Sequence, residues 1–330
     1  MEHYYSGIVY PWIAYVQRLL LGWIPISVGD LLYAFAGIWL IRRLVLLIRS
    51  IRRKEINRAY LKKTLLKTVS IGLTIYITFN VLWGLNYNRY GIDYQLNIES
   101  SDYSDEDILA VTKALSVRLN ELQPSSLPTR ARLKKKSNLF EGAKAAYRRL
   151  SAENPLFRYS PPSVKPSIYS YLGNYLGFTG YYNPFTGESQ VNTTVPVFIR
   201  PFTTCHEIGH ALGYAKESEA NFAGYLSAVH SADSAFQYSV YFEMFAYASR
   251  YLYYSDSVAL KGLTASLSDG VKSDIRLVRK FFERYDSPLE SAIDRLYSEY
   301  LKANEQPSGK MSYNEVVGML IAYYKRSGHI

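Results

Sequence analysis

The 330-residue chain contains a single cysteine, Cys205, which excludes an intrachain disulfide framework and leaves too few thiolates for a cysteine-built metal cluster. Glycine-rich phosphate loops, internal repeats and low-complexity segments are absent, so nucleotide-cradling and solenoid classes drop out. The start, Met1 to Tyr5, lacks a basic n-region, and no cleaved targeting peptide is expected. Acidic residues are scarce in one stretch above all. From Arg42 to Lys67 ten lysines and arginines face one acid, Glu55, so this stretch carries +9 of the chain's net +10. The remainder is near neutral, and the positive charge is therefore not a nucleic-acid surface.

Two apolar runs flank that basic stretch. Leu31 to Ile48 is interrupted only by Arg42 and Arg43, and Val69 to Leu85 contains no charge. Each approaches the roughly 17–20 residues that cross a bilayer, with Trp23, Trp39, Tyr76 and Trp83 in or beside them. We expect two transmembrane helices with residues 49–67 as a cytoplasmic basic link, by the positive-inside rule, and everything after Tyr87 on the extracytoplasmic side. Residues 7–22, apolar but broken by Gln17 and Arg18, are expected to form an interfacial helix. The expected organisation is a membrane-anchoring region, 1–87, and a folded domain, 88–330. This places the protein in the cell (inner) membrane, with the lipid bilayer as partner and no nucleic acid.

The chemistry concentrates at Thr203-Thr204-Cys205-His206-Glu207-Ile208-Gly209-His210-Ala211-Leu212-Gly213. On a helix His206 and His210 leave the same face one turn apart and can grip one metal ion, with Glu207 beside them. Two neutral imidazoles suit Zn2+, which acidifies a bound water, and a neighbouring glutamate can take that water's proton. Cys205 does not share the histidines' face and reads as a buried small residue. Gly213 suits a helix stop. A second helix from about Ala215 carries Glu217, Ala220, Asn221 and Gly224 on one face, so Glu217 is expected as the third metal ligand and Asn221 as a hydrogen-bond partner of a ligating histidine. Glu219, on another face, is the competing ligand. Lys216 stands where a third histidine would complete the metzincin pattern.

His206-Glu207-x-x-His210 followed by Glu217-x-x-Ala220-Asn221 resembles the gluzincin class of zinc metallopeptidases, except that Asn221 stands where that class has Asp. More widely, Gly22-Trp23-Ile24-Pro25 with Gly29-Asp30, Trp83 to Tyr87, Asn183 to Glu188, Pro201 to His210 and Glu217 to Tyr225 resemble a family of membrane-anchored bacterial proteins catalogued only as a domain of unknown function. The likeness to that family implies fold and metal site but no substrate; the likeness to gluzincins implies a zincin-like domain that hydrolyses a peptide or protein substrate with Glu207 as general base, and the expected fold is α+β, mainly helical, with a small antiparallel sheet. Tyr238 and Tyr241 are candidates for the group that steadies the oxyanion, as is His230; Tyr238 is taken first. A non-catalytic membrane receptor with a structural zinc site is the alternative.

Elsewhere Ser104 to Asp107 opens a helix that Pro124 to Pro128 is expected to end. Residues 167–171 and 177–182 are expected as strands, and Gln190 to Thr193 as an exposed edge strand to which an extended peptide could add. Helices are expected over 274–285, 289–300 and 313–324, with a turn at 306–309.

Overall fold

The computed structural model describes residues 2–98, 103–288 and 313–330, with 292–293, 295–296 and 298–299. The turn expected at 306–309 and much of the helix expected over 289–300 lie outside these. The described chain is mainly helical with one small sheet, an α+β arrangement. After a π-helical opening (Glu2–Val9) come α1 (Tyr10–Leu21), α2 (Val28–Arg52), α3 (Arg58–Leu82), α4 (Ile92–Gln95), α5 (Asp105–Leu133), α6 (Lys136–Glu153) and α7 (Ser170–Tyr175). Then follow α8 (Arg200–Ala211), α9 (Glu217–Val229), α10 (Ser234–Ser255), α11 (Ser257–Ser266), α12 (Asp269–Tyr285) and α13 (Tyr313–Ser327). Strands β1 (Val164–Pro166), β2 (Gly180–Asn183) and β3 (Glu188–Val191) pair in the order β1-β3-β2.

α2 and α3 are long and apolar enough to cross a membrane, and their apolar side chains are exposed along their length. Twenty-five residues at about 1.5 Å each exceed the roughly 30 Å hydrocarbon core of a bilayer. The first turn of α2 is seated on the sheet. Ser27 caps it, and the Glu188 carboxylate accepts the N–H groups of Val28 at 3.1 Å and Gly29 at 2.6 Å. A carboxylate there is favoured by the helix dipole. Lys165 Nζ lies 2.7 Å from Glu188 Oε1, with the two side chains 3% and 0% exposed, and donates to the carbonyls of Leu21 and Ile26. Asp30 accepts from the Ile168 N–H at 2.7 Å and from the Tyr181 hydroxyl. Gly29 admits no side chain, because a Cβ would sit 2.4 Å from Asn183 Nδ2.

Several expectations are corrected. The sheet is mixed, since β1 runs parallel and β2 antiparallel to β3. Within it β3 is the central strand and is buried, so 190–193 offers no free edge. Residues 167–171 form a turn leading into α7: the Ser167 N–H donates a last bond to the Val191 carbonyl of β3, after which the Ser167 and Ser170 hydroxyls hydrogen-bond locally. α5 continues through Pro124 and Pro128 to Leu133. Hydroxyls of Ser125, Ser126 and Thr129 bond the backbone around the prolines, and packing against α10 outweighs their local cost. The anchoring region also packs on the domain that follows it. Tyr5, Tyr10, Ala14, Trp83 and Tyr87 share one hydrophobic core with α5, α6, α8, α9 and α10. In α1, Tyr10 and Arg18 donate to the Ala211 carbonyl, while Trp12, Leu19 and Leu20 stay exposed.

Removing Glu188 strands Lys165 as an unpaired buried cation. Glu188→Ala is expected to cost about 3–5 kcal/mol, read as a lowered unfolding midpoint of the full chain in detergent. An unchanged midpoint would contradict the role of this ion pair.

Candidate metal centre

α8 begins with Pro201 at its first turn and stops at Gly213, whose φ of +90° is in the left-handed region that glycine tolerates. α9 crosses it closely through small residues. A Cβ at Gly224 would lie 3.1 Å from the His206 nitrogen, and one at Gly209 would lie 3.1 Å from the Ala220 carbonyl oxygen. This approach brings Glu217, the first residue of α9, over the two histidines. Its carboxylate oxygens lie 3.4 Å from His206 Nε2 and 3.6 Å from His210 Nε2. The three ligand atoms fall within 4.8 Å of one another.

Donors held about 2.0–2.1 Å from a tetrahedral zinc stand about 3.3–3.4 Å apart, so these separations suit one ion. The chemistry of the set suits it too. His210 Nδ1 lies 2.8 Å from the Tyr214 carbonyl oxygen, which favours a proton on Nδ1 and leaves Nε2 with a lone pair for a metal. The expected partner, Asn221, lines the cavity instead of holding a histidine. Glu207 Oε2 and His206 Nδ1 are buried with no hydrogen-bond partner among the described residues. The Glu207 oxygen, on the cavity wall, is free to accept a hydrogen bond from a group bound there.

The charges are coupled. Burial opposes the ionised form of Glu217, but both histidines outweigh it and hold the carboxyl well below its ordinary range. Burial likewise disfavours the His210 cation, yet Glu217 and then Glu207 push its pKa up to about 9. Glu207 moves the other way: burial raises it to about 7, with the two histidines pulling against that. Two features secure Glu207. Ser189 Oγ of β3 donates to its carbonyl at 2.9 Å, and Gly180 of β2 leaves its side chain room, since a Cβ there would lie 2.6 Å from Glu207 Oε1. Trp83, just past α3, donates its indole N–H to the His210 carbonyl at 3.1 Å.

Glu219, the competing ligand, is buried on the far side of α9, where a Gly91 Cβ would come 3.6 Å from its Oε1. Tyr238 does not reach the centre either. Its hydroxyl donates to Asp274 Oδ2 at 2.7 Å and its ring lies under the Arg130 guanidinium, which itself pairs with Asp274. Tyr241 donates to the Ile330 carbonyl, and His230 faces the Leu226 carbonyl and Glu153. Cys205 is buried. Sequence reasoning passed over Glu243 of α10, which lines the metal centre's cavity and whose pKa burial raises to about 7 while His206 pulls it down. Its signal was a lone acid in an aromatic helix.

The cavity holding His206, Glu207, His210 and Glu217 measures about 1380 Å³. Among curated proteins and among solved structures nothing matches the chain. The profile of the family described as "Protein of unknown function (DUF3810)" matches residues 5–321, and the chain belongs to that family.

Proposed function

We propose that the protein is a membrane-anchored, zinc-dependent hydrolase of peptide bonds, its zinc held by His206, His210 and Glu217 with Glu207 as general base. The observation that carries this reading is the meeting of three ligand atoms within 4.8 Å, on the wall of a large cavity, next to a buried carboxylate oxygen without a partner. A zinc ion so held supplies Lewis acidity and lowers the pKa of water to about 7. Glu207, with its pKa near 7, can take a proton from the attacking water and pass it to the leaving amine. The C–N bond breaks, the hydroxyl stays on the carbonyl carbon, and both protons of water end on the amine and the new acid. Ser189 holds the Glu207 backbone carbonyl, and Gly180 leaves its carboxylate room beside the cavity. A closed structural zinc site would need a fourth protein ligand, and the cluster has three among the described residues, all lining the cavity.

The cationic stretch from Arg42 to Lys67, ending α2 and opening α3, supports placing that link in the cytoplasm. The His206, His210 and Glu217 cluster lies by the opposite ends of the two helices, near Gly29 and Trp83, which supports an extracytoplasmic position for it at the inner membrane.

Glu207→Gln is expected to keep one zinc per chain and lower peptide hydrolysis at least about 100-fold, whereas His206→Ala loses the zinc itself. Metal analysis beside a peptide-library digest checks both, and full activity in Glu207→Gln would refute the mechanism. With a pKa of about 9 in the metal-free chain, His210 carries a proton at pH 7.5 that zinc must displace. Zinc uptake is therefore expected to release about one proton per ion at that pH and to tighten as pH rises towards 9. Calorimetry in buffers of different ionisation enthalpy measures this, and binding independent of buffer and pH would contradict it.

A further inference from the structure

The cavity does not end at the metal centre. Its far wall is a stripe of α2, Tyr33, Ala34, Gly37, Ile38 and Ile41, so it runs about 12 Å along this helix. Ile41 stands about 20 Å from the start of α2, well inside the depth of a bilayer that the helix would cross. Ile38 and Ile41 are 64% and 65% exposed, and a Cβ on Gly37 would meet nothing, so the groove is open on that side. Phe178 and Phe185 continue the apolar lining towards Glu207. α12 flanks it with Val278 and Phe282.

The occupant must therefore be polar at one end and hydrocarbon at the other. At about 1380 Å³ the cavity exceeds the roughly 300–1,000 Å³ of small-ligand pockets. It is smaller than the roughly 2,400 Å³ cylinder of a spanning helix about 10 Å wide and 30 Å long. We propose that the site draws its substrate from the bilayer and that the substrate is a peptide bearing a long acyl chain, the chain lying along Ala34, Gly37, Ile38 and Ile41 and the scissile amide at Glu207. This rests on the hydrolase reading and on α2 crossing the membrane, and it adds the substrate class.

The test uses the full chain in lipid nanodiscs and a short palmitoylated peptide with a diazirine at the end of the acyl chain. After photolysis, mass spectrometry is expected to find the label on residues 34–41. Excess unlabelled palmitoyl peptide should lower it at least 10-fold, as should Gly37→Trp, which fills the groove. Gly72→Trp on α3, where a Cβ also meets nothing, should leave it unchanged. Label spread evenly over α2 and α3, or an equal yield at 34–41 from a diazirine phospholipid, would overturn the assignment. Labelling as expected without any hydrolysis would sink the hydrolase reading alone. Hydrolysis of the unacylated peptide without labelling at 34–41 would sink this inference alone.

Discussion

The close crossing of α8 and α9 is the constraint on which the centre depends. Gly209, Ala220 and Gly224 let the two backbones come near enough for a carboxylate at the start of one helix to reach imidazoles on the other. A methyl added at Gly224 would press on the backbone of His206 itself, so packing and ligand geometry are set by the same residues. Glu207, between the histidines in sequence, is then left facing the cavity with one carboxylate oxygen unpaired.

Around this crossing the fold ties the His206, His210 and Glu217 cluster to the apolar helices. Glu188, Ser189 and Gln190 are three consecutive buried polar residues on β3. Glu188 holds the start of α2, and Ser189 holds the Glu207 carbonyl. From the other side Trp83 ties the end of α3 to His210. Both long helices thus meet the domain within a few residues of Glu207 and the His206, His210 and Glu217 cluster, and a cavity continuous with the surface of α2 follows from that arrangement.

What could be read from sequence was what helical periodicity determines. The four-residue spacing of His206 and His210, the face of Glu217, Ala220 and Gly224, and the stop at Gly213 are local facts, and the structure has each of them. The sheet was less accessible. A run such as Glu-Ser-Gln reads as solvent-facing, and only partners some 160 residues away, Val28, Gly29 and Ser27, make it a buried central strand. The surroundings of Tyr238 were hidden for a similar reason. Its partner Asp274 lies 36 residues on, and no spacing rule links the two. The prolines of α5 carried a correct local cost, overridden by tertiary packing.

One ion is predicted to sit between two imidazoles and a carboxylate. X-ray absorption at the zinc edge on metal-reconstituted protein tests it most directly. The predicted spectrum shows one zinc per chain with nitrogen and oxygen neighbours at about 2.0–2.2 Å and no sulfur, and the site is lost in Glu217→Ala. A chain that takes up no zinc, or a zinc environment indifferent to that substitution, would contradict it.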